Sequence, residues 1–160
     1  MPAPEALPEL YLYMDQVLAL VNPCLDTQGG EEVALTRAMI NNYCKSGVIP
    51  RPEKKKYTSG HVLSMLLAQS LKGVFTLDEI RVMLSAAGET GLADAYKSYV
   101  DCLRETVEAN LAAYEGVEGA LRLAARAQAG RLCCLHLLAD RLEADAESRK
   151  DDKKDKKKHE

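Results

Sequence analysis

LTRAMINNYCKSGVIPRPEKKKYTSGHVLSMLLAQSLKGVFTLDEIRVML, residues 35–84, is the stretch that decides the fold. At about 100° per residue, Leu35, Met39, Ile40 and Tyr43 fall on one side of a helix. Arg37, Asn41 and Lys45 fall opposite, at i, i+4 and i+8. Thr36 is a good N-cap and Gly47 a good stop, so a helix is predicted over Arg37–Lys45. Pro50 and Pro52 exclude helix from Ile49 to Arg51, because each restricts the residue before it. A short extended excursion is expected there, a two-stranded ribbon with Lys54, Lys55 and Lys56 near its tip. Thr58 or Ser59 opens a third helix to about Leu71, broken by Gly73. Thr76-Leu77-Asp78-Glu79 is a capping box for a fourth helix, which Gly88 ends.

Upstream, Leu10, Met14, Val17, Leu18 and Val21 recur at helical spacing and predict a first helix over Glu9–Val21. Asn22-Pro23 is expected to end it, and Gln28-Gly29-Gly30 reads as loop. Downstream, two longer helices are predicted, from about Leu92 to Tyr114 and from about Val117 to Ala146. Leu92, Tyr96, Tyr99, Leu103, Thr106 and Asn110 trace a seam on the first. Leu121, Ala124, Gln128, Leu132, Leu135, Leu138 and Leu142 are expected inward on the second. The short link Glu115-Gly116 implies an antiparallel hairpin. From Ser148 the tail carries no apolar residue, and no ordered structure is expected of it.

The net charge of −3 hides a strong pattern. Residues 1–35 carry −6, residues 36–75 carry +6, residues 76–148 carry −6 and residues 149–160 carry +3. This excludes a uniformly basic coat, and it places one basic block inside an acidic protein, which suggests a local anionic partner. The longest run free of charged residues, Tyr57–Leu71, is too short and too polar to span a bilayer. The start MPAPEALPEL lacks the basic and apolar regions of a secretory signal, so a cytoplasmic location with reduced cysteines is expected.

The decisive stretch resembles the DNA-binding domain of MerR-type transcription regulators. There, a recognition helix ends in a Tyr-rich stretch, followed by Gly, a small apolar pair and Pro. A basic wing then ends in Tyr, and the segment closes on Phe-Ser/Thr-Leu-x-Glu-Ile. The matching residues are Asn42-Tyr43, Gly47, Val48-Ile49-Pro50, Tyr57 and Phe75-Thr76-Leu77-Asp78-Glu79-Ile80. More closely, LYMDQV (12–17), MINNY (39–43), KKKY (54–57) and LDEI (77–80) resemble a bacterial family of unknown function whose members are described only as transcriptional regulators. Two positions depart from the MerR pattern, with Asn41 where Arg is usual and Asn42 where Tyr is usual. The connection Asn22–Leu35 is also longer than a standard helix-turn-helix turn.

The resemblance implies a winged helix-turn-helix over residues 1–88, in an all-α fold with a small β wing; the periodicity adds a helical hairpin over 89–148, unlike the single long dimerisation helix of MerR-type proteins, and the charge run a disordered tail over 149–160. The resemblance also implies a DNA-binding transcription regulator that reads double-stranded DNA. Thr36, Arg37, Asn41, Asn42 and Lys45 are the expected contacts on the helix, and Arg51, Lys54, Lys55, Lys56 and Tyr57 those on the wing. With about six phosphate contacts, the log–log salt slope of binding would be near −5. The hairpin reads as a dimerisation or effector module, so a second copy is the other expected partner. The alternative is a protein-interaction adaptor that keeps the fold without DNA.

Other constellations are weaker. Cys133, His136 and Asp140 share one side of a helix and are metal-ligand types, but one short cluster lacks the paired spacing of a zinc site. No metal, cofactor or catalytic site is therefore expected. Cys24 and Cys44 read as ordinary small side chains. No GxGxxG, GxxxxGK[ST], HExxH or GxSxG motif occurs.

Overall fold

The computed structural model describes residues 1–7, 11–25 and 34–158, and for 151–158 the backbone alone. Among the described residues, seven α-helices follow a short 3-10 turn at Pro4–Ala6: α1 (Met14–Leu25), α2 (Arg37–Lys45), α3 (Ser59–Leu71), α4 (Leu77–Thr90), α5 (Leu92–Ala113), α6 (Gly116–Leu137) and α7 (Ala139–Lys158). The class is all-α. No strand forms among the described residues; the expected ribbon is reduced to two isolated bridges, Leu12 with Tyr57 and Glu53 with Lys56. So few paired residues are too short to build a ladder.

α3 is the axis of the domain. Residues 62–69 are buried without interruption, so its apolar surface faces neighbours all round. α1, α4 and α5 pack on it. Val17, Val21 and Leu25 of α1, Ile40 of α2, Met65 and Leu66 of α3, Ile80 of α4 and Tyr96 of α5 are fully enclosed in one core. The core continues through Tyr99 and Val100, so the first half of α5 packs with the N-terminal helices. The Tyr96 hydroxyl donates to the Pro2 carbonyl at 3.0 Å, tying the N-terminus to α5. Burial pushes that phenol up to about 12, with smaller contributions from Cys24 and Tyr99.

Several boundaries differ from expectation. Tyr11-Leu12-Tyr13 is extended, and α1 starts at Met14, because Leu12 exchanges both backbone hydrogen bonds with Tyr57, at 2.9 and 2.8 Å. Glu9, Leu10 and the Gln28–Gly30 loop lie outside the described residues. Pro23 sits inside α1 rather than ending it. It occupies the last turn, where one lost backbone bond is outweighed by the burial of Val21 and Leu25. Asn22 closes the long connection itself: its Oδ1 accepts from the Leu35 N–H at 2.7 Å and its Nδ2 donates to the Leu35 carbonyl at 3.2 Å. Gly88 lies within α4, and Gly91 (φ 120°) is the stop. The long last helix is interrupted at Leu138, and helical backbone runs on to Lys158, in a tail with neither Gly nor Pro to break it.

The start of α2 is capped as its sequence predicts, with Thr36 Oγ1 accepting from the Met39 N–H at 3.2 Å. Its end is a Schellman turn: the Val48 N–H reaches the Tyr43 carbonyl at 2.9 Å, with Gly47 at φ +73°. A Cβ at Gly47 would meet Arg81 Cδ at 3.4 Å in a backbone region that L-residues avoid. Gly47→Ala is therefore expected to cost at least about 1 kcal/mol, read as a lower urea midpoint at unchanged slope.

His61 takes the place of the acid in the capping box of α3. Its Nδ1 accepts from the Thr58 N–H at 3.1 Å, which requires an unprotonated nitrogen, while its buried Nε2 meets no acceptor in good hydrogen-bond geometry among the described residues. Burial holds the imidazole below its ordinary 6.5, offset in part by the Arg51 backbone carbonyl. The folded chain thus binds fewer protons here than the unfolded chain. The contribution of His61 is fully present above 6.5 and is lost as pH falls through 6.5 toward the depressed folded value. Denaturation at about pH 7.5 and about pH 5.5 is expected to show a larger acid loss for the native chain than for His61→Gln, whose amide caps without titrating.

Candidate nucleic-acid interface

The amphipathic pattern of α2 places Ile40 and Tyr43 in the core and leaves Arg37, Asn41, Asn42 and Lys45 exposed. The Tyr43 hydroxyl donates to buried Gln69 Oε1 at 3.1 Å, which anchors the inner face to α3. Nine residues give α2 a length of about 13.5 Å. That matches one crossing of a B-DNA major groove about 12 Å wide.

After α2, residues 48–57 return along its exposed side. Val48, Ile49 and Tyr57 anchor this segment in the core. Between Glu53 and Lys56 the chain reverses in a tight turn closed by the Lys56 N–H on the Glu53 carbonyl at 2.8 Å. Lys54 (φ 48°) and Lys55 (φ 63°) occupy its two central positions, both in the left-handed region. This is the geometry of a type I′ turn, which favours Asn-Gly. Two lysines there cost about 1–2 kcal/mol each in backbone energy.

The helix and the turn share a face. Arg37 and Asn41 line one groove of about 430 Å³ together with Tyr13, Asp15, Pro52 and Lys55. Asn41 and Lys45 line a second, of about 310 Å³, with Cys44, Arg51 and Pro52. Arg37, Asn41, Lys45, Arg51 and Lys55 are therefore neighbours. Lys54 lies exposed at the tip, and Thr36 is engaged as the cap. Lys45, Arg51, Lys54 and Lys55 have no carboxylate partner among the described residues. Arg37 is paired with Asp15, in an exposed bridge that contributes little to stability.

Tyr57 lines both grooves from beneath. It is 4% exposed, held by the Leu12 bridge and by an edge-to-face contact with His61 at 5.7 Å, so it supports the turn from within. Two further tyrosines stand on the surface. Tyr11 is 64% exposed with Lys56 Nζ 5.4 Å from its ring centroid, and Tyr13 is 57% exposed in the Arg37 groove. Reading residues 9–21 as helix conceals them; the alternation Tyr-Leu-Tyr, with period two, is the signal that could have found them.

The Cys44 thiol donates to the Pro50 carbonyl at 3.8 Å, and burial pushes its pKa up against the opposing charge of Arg51. It is not an activated thiolate. Cys133, His136 and Asp140 are all exposed, and no group of three or more His, Cys, Asp or Glu among the described residues could hold a metal ion. No described helix is long and apolar enough to cross a membrane.

These features define an all-α domain that carries a cationic ridge built from one short helix and one lysine turn. Residues 2–100 match the model of a family described as a domain of unknown function, DUF1836, and the chain belongs to that family. Among curated proteins and solved structures nothing matches it. The matched stretch ends at Val100, the last residue of α5 that packs on the core.

Proposed function

We propose that the chain is a sequence-specific, double-stranded-DNA-binding transcription regulator. α2 enters the major groove with Arg37, Asn41, Asn42 and Lys45, and the turn carrying Lys54, Lys55 and Lys56 lies on the flanking phosphates as a minimal wing. The observation that carries this reading is the strained Lys54-Lys55 pair beside the α2 stripe. Backbone strain persists where function requires the residue, and cations at the tip of a turn reach phosphate. The five exposed cations Arg37, Lys45, Arg51, Lys54 and Lys55, each neutralising one phosphate, correspond to a salt slope near −4.5. Fluorescence anisotropy on duplex fragments between about 50 and 200 mM salt tests this; a flat salt dependence excludes it.

A homodimer is part of the same proposal, through the exposed seams of α5 and α6, so that two α2 helices read half-sites about one helical turn apart. The second reading, a protein-interaction adaptor, has its own support: Asp15 already occupies Arg37, and Tyr11 and Tyr13 form an exposed aromatic edge of the kind that anchors protein partners. Undiminished partner binding by a chain that ignores duplex DNA would select it.

A further inference from the structure

Tyr11 and Tyr13 form a fixed aromatic edge beside the lysine turn. Side chains alternate along the extended Tyr11-Leu12-Tyr13, so Leu12 packs against the core while both tyrosines stand outward. Two extended residues set their Cα atoms about 6.7 Å apart. The backbone beneath the rings is held on both sides. Leu12 is bridged to Tyr57, the Tyr13 N–H donates to Gln16 Oε1 at 2.9 Å, and the Tyr13 carbonyl accepts from the Val17 N–H at 3.0 Å. A ligand therefore need not order this segment on binding. Cations are interleaved with the rings. Lys56 Nζ covers one face of Tyr11, and Tyr13 shares its groove with Arg37, Asn41 and Lys55. The acid of that groove, Asp15, is paired with Arg37, and the turn carries three lysines against Glu53.

Exposed rings alone would suit an apolar peptide. Rings set among cations suit a ligand that alternates flat π-faced groups with negative charges. Single-stranded nucleic acid is such a ligand, because its bases stack on aromatic side chains while its phosphates follow the cations. A duplex keeps its base faces stacked on one another, so these rings serve unpaired nucleotides only. We propose that the Tyr11–Tyr13 edge binds single-stranded DNA, one base on each ring, with the phosphates on Lys55 and Lys56. Asn41, in the wall of the Tyr13 groove, offers an amide donor and acceptor to the edge of the base stacked there. The proposal rests on the nucleic-acid reading of this face but not on its double-stranded form. Lys55 is common to both, so a single strand leaving a duplex held on α2 runs directly onto the aromatic edge.

The full chain is titrated with oligothymidylate, of a length within the roughly 4–16 nucleotides such surfaces occupy, and with the same strand annealed to its complement. Anisotropy reports binding, and tyrosine emission reports stacking, since the chain has no Trp to mask it. Saturable binding of the single strand with quenched tyrosine emission is expected. Tyr11→Ala and Tyr13→Ala are each expected to weaken it about tenfold, whereas Tyr13→Phe, which keeps the ring face, binds within about twofold of wild type. With two phosphates engaged, the log–log salt slope is expected near −1.4, using about −0.7 per phosphate for single strands. Both tyrosines are exposed, so all three variants are expected to keep the wild-type urea midpoint. Absence of saturable strand binding overturns the proposal. So does strand binding that both alanine variants leave unchanged, which returns the edge to the protein-anchor reading. Tyr13→Phe as weak as Tyr13→Ala overturns stacking on that ring. If the single strand binds and the duplex does not, the edge stands and the duplex-reading regulator fails. If the duplex binds and the single strand does not, the regulator stands and the edge assignment fails.

Discussion

Changing Lys54, Lys55 and Lys56 together to Glu is expected to lower duplex-DNA affinity by at least about a hundredfold at moderate salt, while the fold survives. Lys54 and Lys55 are exposed and Lys56 is only half-buried, so the core loses nothing. The charge change is large: the two exposed lysines of the turn and half-buried Lys56 beside them become three anions. The salt slope is expected to flatten from near −4.5 to about −2.5 or less, because at least two counterion-releasing contacts vanish. A companion variant separates charge from conformation. Lys54→Asn with Lys55→Gly places the preferred type I′ pair where two lysines are strained. It is expected to raise stability by about 1 kcal/mol or more while weakening DNA binding. Gain of stability with unchanged affinity in the companion, or unchanged affinity in the triple variant, would sink the proposed role of the turn.

Much of this surface is legible in the amino-acid sequence, because it depends on local rules. The capping box at Thr76 and Glu79 closes as expected, with bonds of 2.8 and 3.3 Å. The bounds of α2 follow from Thr36 and Gly47, and its polar stripe from the 3.6-residue period. The features that do not read this way are decided at a distance. The extended Tyr11–Tyr13 depends on pairing with Tyr57, and the survival of Pro23 inside α1 depends on the core beneath Val21 and Leu25. The expected wing is a single strained turn, since residues 48–57 are fastened mainly through side chains buried in the core.

Changing Leu121 and Leu132 to Glu is expected to convert a dimer into a monomer and to cost most of the helicity of α6. Within this chain α6 buries only Gly119, which packs on Tyr114, while Val117, Leu121 and Leu132 stand 79%, 67% and 58% exposed on one side of the helix. The seam expected to face inward therefore has no cover. Leu103, Val107 and Leu111 form a matching exposed stripe on α5. Hydrogen bonds help fasten α6 to the rest of the chain: Arg126 to the Tyr114 hydroxyl at 2.7 Å, and Arg131 to Glu79 at 2.8 Å and to the Val74 carbonyl at 2.9 Å. Helical stability in proteins comes mostly from packing of an apolar face, which α6 lacks within this chain, and an apolar patch of this extent on a monomer marks an interface. A second copy is the proposed occupant, on the ground of charge. From Asp101 onward α5 carries Asp101, Glu105 and Glu108 against Arg104, whereas α6 carries Arg122, Arg126 and Arg131 against Glu118. α5 of one copy thus complements α6 of another, and two-fold symmetry makes that contact twice. Burial of each leucine contributes about 1.5–3 kcal/mol. Removing two in each copy should therefore weaken the dimer by several orders of magnitude, seen by sedimentation at micromolar concentration. The same variant should bind a single half-site normally and lose its preference for paired half-sites. A wild-type chain that sediments as a monomer with full helicity, free and on DNA, would rule out this interface and with it the two-half-site geometry of recognition.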